Sequence, residues 1–470
     1  MQNKENLIWP REGSTERPEK KFGAVGAHLI TGWSLHCAVQ APVHRLSMGS
    51  CSSVQLAAGS GIPRGGGQSF GDASLPNRGV SLVLDPVSEN MHSSIDKKTG
   101  VLICPASMTQ QQVLQRIVPT GWVLPVVPGA SGITIGGAVA ADAHGKNHYT
   151  QGSIADHLIS LKMLLASGEV VRASRSESAD LFWATIGGLG LTGLIVEVMM
   201  QLRPLASTRV WQTVTPFRGV PEMLDIIEAQ KETCEYLLGT VDGNFGNNHR
   251  WHGVITTATA CQTGTNKCLG SYPHRRNISV PRFVSDYSFS NLSTWALNHA
   301  VRFSTRFRRS GKTDLDRFFF PQDALANWNR LFGQTGFVDY QCCVPIENSL
   351  SFLTALQKIL NENSSKCFLV AVKRFRKPCN QNPLVFAQEG ISIALDMPWH
   401  RHTAAQLDAL DDLVISFSGR VNLIKDARLS PERFSQMYPR RKEWLAVKRK
   451  FDPDDRFRSQ LSGRLGLDFG

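Results

Sequence analysis

The chain has no long hydrophobic run. Its most apolar region, Ile186 to Met200, is interrupted by four glycines and by Glu197, whereas a membrane-spanning helix needs roughly 18 or more uninterrupted apolar residues. No spanning segment is expected. Cysteine is sparse. Ten are spread over 470 residues, and the one adjacent pair, Cys342 and Cys343, lacks the C-x-x-C spacing of a metal or redox site. Reduced thiols in a cytoplasmic protein and no metal centre are the expectation. A signal-peptide layout is also missing, because Lys4, Glu5, Arg11, Glu12 and Glu16 precede any apolar run. No internal repeat is found at a period of about 20 to 50 residues.

What is present is an ordinary globular composition, 42% hydrophobic and 19% charged, with 51 Lys+Arg against 39 Asp+Glu and a net charge of +12. The length suits two or three packed domains. Much of the basic excess sits in Arg302, Arg306, Arg308, Arg309 and Lys312, and in Arg440 to Lys450. Such runs are either solvated surface or a peripheral contact with anionic lipid. No nucleic-acid-binding motif accompanies them, so no nucleic-acid partner is expected.

Residues 1–28 are polar with little periodicity and are read as a flexible leader. Short apolar runs at Val80 to Leu84 and Gly100 to Cys104 read as strands, and Thr109 to Val118 as a capped helix. Leu158 to Ala166 and Glu169 to Ala173 read as a hairpin around Ser167 and Gly168. Glycine-rich segments punctuate this first α+β domain, 29–205. Beyond Pro204 the glycine clusters thin out, and residues 206–425, with strands at Cys367 to Val372 and Ile391 to Leu395, read as a second domain. The stretch 426–470 reads as a basic helix to Phe451, breaking at Pro453 and returning to the first domain.

The loop Arg64-Gly65-Gly66-Gly67-Gln68-Ser69-Phe70-Gly71-Asp72 is too rich in glycine for a helix or strand interior. Glycine accepts positive φ and carries no side chain, so such a loop lets backbone N–H groups converge on an anion, a pyrophosphate being the natural guest. It is not a P-loop, which ends in Gly-Lys-Ser/Thr, nor does it follow the Rossmann G-x-G-x-x-G order. By itself such a loop is more often a plain turn than a cofactor site. A second loop, PGASGITIGGAVAADAHGKNHYTQGS from Pro128 to Ser153, strengthens the cofactor reading.

The pattern R-G-x-G-x-S-F-G-D, then T-I-G-G-A-x-A-x-D-x-H-G-K-N-H, then L-F-W-A-T-I-G-G-x-G-L-T-G resembles the FAD-binding domain of vanillyl-alcohol-oxidase-type flavoproteins. Within that superfamily the chain is similar to the decaprenylphosphoryl-β-D-ribose oxidases of arabinan and glycolipid biosynthesis, over roughly residues 29 to 468. DYQCCVP around Gln341, LIKDAR around Lys425 and the tail MYPRRKEWLAVKRKFDP share in the resemblance. It implies an α+β, two-domain flavoprotein: an FAD-binding α+β domain (29–205), a substrate or cap domain with an antiparallel sheet (206–425), and a C-terminal segment (426–470) returning to the first.

The resemblance also implies the site. FAD would lie with its pyrophosphate against Pro63, Arg64, Gly65, Gly66, Gly67 and Gln68, with Ser69, Phe70, Gly71, Asp72 and Ala73 completing the first loop. Gly129, Thr134, Ile135, Gly136 and Gly137 would form the second. Ala141, Asp142, Ala143, His144 and Ile195 would line the nucleotide and flavin, and Asn422 stands where the family has an FAD-contacting tyrosine. Lys425 and His144 correspond to active-site residues, the lysine able to stabilise negative charge on the reduced flavin; the plain alternatives are a surface Lys–Asp pair and a satisfied core histidine. Lys146, Gln341, Phe319 and Lys425 would face the substrate, Lys146 meeting its phosphate. Gln68 replaces the histidine that covalent members attach to flavin, so FAD is expected to be non-covalent. Phe70 and Phe319 replace tyrosines and Ala394 a cysteine.

The implied reaction is oxidation of a secondary sugar hydroxyl to a ketone, in the family the 2-hydroxyl of a polyprenyl-phospho-ribose, with a short-chain reductase partner completing epimerisation to arabinose. The location expected is cytoplasmic, with a peripheral position at the inner membrane face as a variant. Two other readings stand beside it: an alditol or aldonolactone oxidase acting on a free soluble sugar, and a flavin-binding scaffold without turnover.

Overall fold

The computed structural model describes residues 26–47, 60–86, 93–246, 250–261, 272, 278–281, 310–333 and 335–469. Most of the polar leader lies outside these residues, as do Arg302, Arg306, Arg308 and Arg309 of the first basic run. Within them, no helix is long and apolar enough to cross a membrane, and the eight cysteines are free thiols.

Two small sheets form the N-terminal half. The first orders its strands Ala27–Thr31, Ala38–Leu46, Val80–Leu84 and Gly61–Pro63, the last two joined in parallel. The second is antiparallel, in the order Ser94–Ile95, Val101–Pro105, Leu194–Gln201, Leu158–Leu164 and Val170–Ser174. The expected hairpin is the last of these pairs, closed by Leu165 N–H donating to Glu169 O at 2.9 Å. The helix Gln110–Ile117 starts where its sequence places it. Thr109 Oγ1 accepts from Gln112 N at 3.2 Å, and Thr109 N donates back to Gln112 Oε1 at 2.9 Å. This capping box satisfies two backbone donors that the first turn leaves open.

An eight-stranded antiparallel sheet dominates the other half. Its order is Gly311–Asp314, Arg209–Arg218, His252–Ala260, Tyr236–Val241, Val370–Phe375, Gly390–Pro398, Phe337–Pro345 and Arg420–Val421. The expected strand Cys367 to Val372 sits three residues further on, because Cys367 N–H pairs with Gly243 O and Phe368 N–H with Asp396 O outside the ladder. Helices Val220–Gln230, Ser349–Glu362 and Thr403–Ser416 pack on one face, where Val338, Tyr340, Cys342, Ile391, Ile393, Leu395, Val370 and Val372 are buried with Met223, Leu353 and Leu407. Side chains alternate across a strand, so Asp339, Gln341, Ala371, Lys373, Ser392, Ala394 and Asp396 point to the other face.

The C-terminal basic helix is two helices, Pro431–Met437 and Arg441–Phe451. Pro439 separates them because it has no N–H to continue the ladder. The chain then reaches the N-terminal half: Phe457 bridges Gly61, Ser459 bridges Pro76, and the Trp444 indole donates to Ala184 O at 2.9 Å.

Candidate active site

A cavity of about 800 Å³ lies between the two glycine loops and the polar face of the large sheet. That is within the range of about 300–1,000 Å³ usual for ligand sites. Of the expected residues, Pro63, Arg64, Gly65, Gly66, Gly67, Gln68, Ser69, Phe70 and Ala73 line it from the first loop. Gly129, Thr134, Gly136, Gly137, Ala141, Ala143, His144 and Lys146 line it from the second, and Ile195, Phe319, Asn422 and Lys425 complete the set.

The loops are held by their own chemistry. Arg64 Nη1 donates to Ser74 Oγ at 2.9 Å and Nη2 to Thr31 O at 2.8 Å. Thr134 caps the short helix Ile135–Ala140, its Oγ1 accepting from Gly137 N at 3.2 Å. Gly67 adopts φ of +66° beside the Arg64 guanidinium, a conformation glycine takes without cost. A Cβ on Gly65 or Gly66 would collide with Thr134 or with the Gly132 carbonyl. Gly129 has no atom within 4 Å of where a Cβ would stand, so a side chain there would fill cavity space. These residues fit a cofactor that presses an anion against bare backbone.

Five expected residues do not line the cavity, and each has another task. Gly71 packs against the Asp426 backbone. Asp72 is buried and receives both Arg464 Nε and Nη2, at 3.0 and 2.9 Å. Ile135 is in the core. Asp142 accepts from Ala155 N at 3.3 Å and Asn380 Nδ2 at 2.8 Å, and burial raises its pKa. Gln341, expected to touch substrate, is 2% exposed with its amide occupied. Its Nε2 donates to Ser392 Oγ at 2.9 Å and to His144 Nε2 at 3.1 Å, while its Oε1 accepts from Asn422 Nδ2 at 2.9 Å.

That network sets the histidine's tautomer. Ile424 N–H donates to Asn422 Oδ1 at 3.3 Å, so Asn422 presents its NH₂ to Gln341, and Gln341 in turn presents its NH₂ to His144. The Nε2 of His144 is therefore an acceptor and its ring proton lies on Nδ1. Burial first, then its neighbours Lys373, His148 and Lys425, hold His144 well below its ordinary pKa, so the ring is neutral. Phe375 packs edge-on at 4.8 Å.

Lys146 lines the cavity, but its ammonium donates to Phe318 O at 2.5 Å and Phe319 O at 2.8 Å. It ties the second loop to the segment carrying Phe319. Lys425 is ion-paired with Asp339 and lies 5.2 Å over the Phe70 ring. Asp339, Lys373 and Asp396 also line the cavity and were missed in the sequence. A charged residue alternating with apolar ones, as in FVDYQ, VAVKRF and ALDMP, was the available signal. Burial, followed by repulsion from Lys425, lowers Lys373 to about 7. Burial, followed by Asp339, raises Asp396 well above the carboxylate range.

Residues 52–174 match the model of the FAD binding domain family. The chain is 31% identical over 423 residues, 86% of its length and 89% of the relative's, to the decaprenylphosphoryl-β-D-ribose oxidase of Mycolicibacterium smegmatis. It is 29% identical to an uncharacterized protein of Streptomyces coelicolor, over 77% of this chain and all of that one. A putative D-arabinono-1,4-lactone oxidase of Neurospora crassa is 30% identical over 24% of this chain and 20% of its own. With an FAD-binding half and an identity that extends across both halves, the chain belongs to the family of FAD-linked oxidoreductases that includes decaprenylphosphoryl-β-D-ribose oxidase.

Proposed function

We propose that this FAD-dependent oxidoreductase oxidises a secondary sugar hydroxyl to a ketone, the substrate being a polyprenyl-phospho-ribose attacked at its 2-hydroxyl. The observation carrying this reading is the 86% coverage by the mycobacterial oxidase. It runs past residues 52–174 into the sheet whose polar face walls the cavity. Residues 29–205 and the returning segment 426–470 hold FAD, and 206–425 roof the substrate.

FAD, when bound, supplies the acceptor for the carbinol hydride. Around it, the loops Pro63 to Ala73 and Gly129 to Gly137 cradle the pyrophosphate with unobstructed backbone. Lys425 places a fixed ammonium where negative charge develops, which in a preorganised, water-poor site stabilises the transition state. His144, neutral and held by Gln341, orients substrate rather than ionising. Gln68 has no nucleophilic ring nitrogen, so FAD dissociates. The ketone product calls for a reductase of the short-chain class to complete an epimerisation, and the basic helix Arg441–Phe451 offers a face to anionic lipid at the inner side of a cytoplasmic membrane.

The short match to the lactone oxidase keeps an alditol or aldonolactone oxidase as the second reading. Anaerobic stopped-flow mixing of the holoenzyme with polyprenyl-phospho-ribose and, separately, with free alditols decides. Bleaching of the flavin by the lipid-linked sugar supports the first reading, bleaching by alditols alone supports the second, and bleaching by neither leaves a scaffold without turnover.

A further inference from the structure

The sheet wall of the cavity brings two carboxyl groups together. Asp339 on Phe337–Pro345 stands directly opposite Asp396 on Gly390–Pro398 in the antiparallel register. Opposed side chains in such a pair have Cβ atoms about 4.5–5.5 Å apart. Both line the cavity, and both are buried, Asp339 to 4% exposure and Asp396 to 5%. The charged and titratable groups facing them are Lys373 on the neighbouring strand Val370–Phe375, Lys425 on the segment after Arg420–Val421, and His144 across the cavity.

The oxygens of Asp339 are not equivalent. Its Oδ2 is ion-paired with Lys425, while its Oδ1 is buried without a hydrogen-bond partner. Leaving a buried acceptor unmet is costly, and lining the substrate cavity is what allows a ligand to meet it. Two other candidates for proton acceptor, His144 and Asp323, are engaged. His144 Nε2 accepts from Gln341 and its Nδ1 carries the ring proton. Asp323 on the cavity rim accepts from Ser131 N at 2.9 Å. Burial, followed by its carboxylate neighbour Asp339, raises the pKa of Asp396 well above its ordinary value, while Asp339 is the member of the pair that is ion-paired with Lys425.

We propose that Asp339 is the catalytic base, its Oδ1 accepting the hydrogen bond of the substrate carbinol and then its proton. This rests on the oxidation reading above. The carbinol O–H bond breaks and its proton forms a new O–H bond at Asp339. The C–H bond breaks with its electron pair, leaving as hydride to oxidised FAD, and the carbon–oxygen double bond forms. The alcohol loses two hydrogens and two electrons, and the proton later returns to solvent.

The test is anaerobic single-turnover reduction of FAD-loaded holoenzyme, parent and variants, by saturating polyprenyl-phospho-β-D-ribose or, where that fails on the parent, by the alditol that reduces it. General-base loss is worth roughly 10²–10⁴-fold. Asp339→Asn should retain FAD, slow reduction at least about 100-fold and lose the acid limb of the rate–pH profile. Asp339→Glu should recover part of the rate with the limb restored. Asp339→Ala should be accelerated about tenfold or more by added formate, which a purely structural role would not allow. Reduction of Asp339→Asn within about threefold of the parent with its acid limb intact, a difference of some 0.7 kcal/mol, overturns the assignment. If Asp339→Asn fails to hold FAD, the Asp339→Glu profile decides: a limb unmoved from the parent's overturns it. A parent that neither sugar reduces overturns the oxidation reading and this one with it. A parent reduced only by alditols changes the substrate and leaves the Asp339 comparison decisive.

Discussion

Gln341 Nε2 donates to His144 Nε2 at 3.1 Å, across 197 positions of sequence. One backbone N–H, that of Ile424, orients Asn422, which orients Gln341, which orients the ring. Gln341→Glu exchanges the donor for an acceptor, so His144 must carry a proton on Nε2 and its pKa rises. Flavin reduction should then show an additional ionisation between about pH 5 and 8, the range in which histidine titrates, with FAD still bound. A profile identical to the parent's would show that this bond does not set the ring's protonation.

Lys425→Met should leave FAD bound, because the glycine loops lie on other segments. Flavin reduction by substrate should slow by about two orders of magnitude, since a charge-assisted contact in a preorganised site is worth roughly 3 kcal/mol. Thermal stability should fall as well, because Asp339 loses its ion-pair partner while still buried. A single-turnover rate within about threefold of the parent would remove Lys425 from the chemistry.

Acid precipitation of the yellow holoprotein should release all FAD to the supernatant. Gln68 lines the cavity where a linking histidine would stand. Flavin absorbance retained in the washed pellet would contradict a non-covalent cofactor.

Gly67→Val should abolish flavin occupancy at ordinary cofactor concentrations. A β-branched residue at φ of +66° is strained, and its Cβ would approach Arg64 Nη2 to 2.6 Å. The measurement is the 450 nm absorbance per protein after purification with added FAD, and full occupancy would displace the loop from the cofactor site.

Stability should fall on acidification through His148. It is 1% exposed, stacks on Phe375 at 3.9 Å, and burial, followed by Arg376, Lys373 and Arg374, lowers its pKa to about 3. The folded ring stays neutral where the unfolded one, with a pKa near 6.5, binds a proton. Stability is therefore complete above about pH 7 and declines as pH drops below 6.5, by about 2 kcal/mol at pH 5 from this group alone. Urea unfolding at pH 7.5 and 5 should show a smaller decline for His148→Gln, and equal declines in both proteins would assign the acid sensitivity elsewhere.

The glycine loops, the Thr109 capping box and the Ser167 and Gly168 hairpin were legible in the sequence, because each depends on residues close together in the chain, whereas Lys425 and His144 were singled out by the family resemblance. A backbone-lined cavity needs glycine, and a cap needs a hydroxyl three residues from its donor. Tertiary structure decided the rest. Asp339 faces Asp396 only because two strands 57 positions apart pair in one register, and a one-residue slip of either strand would turn its carboxyl toward the helices. Gln341 reads in sequence as a polar residue aimed at substrate, and becomes the residue that holds His144 only once Asn422 and Ser392 occupy its amide. Lys146 meets two carbonyls of a segment some 170 positions away. Asp72 leaves the cofactor set because Arg464 comes back to it from the end of the chain. In each case the composition of the site follows from local chemistry, while the atom each side chain addresses follows from contacts that only the packed chain creates.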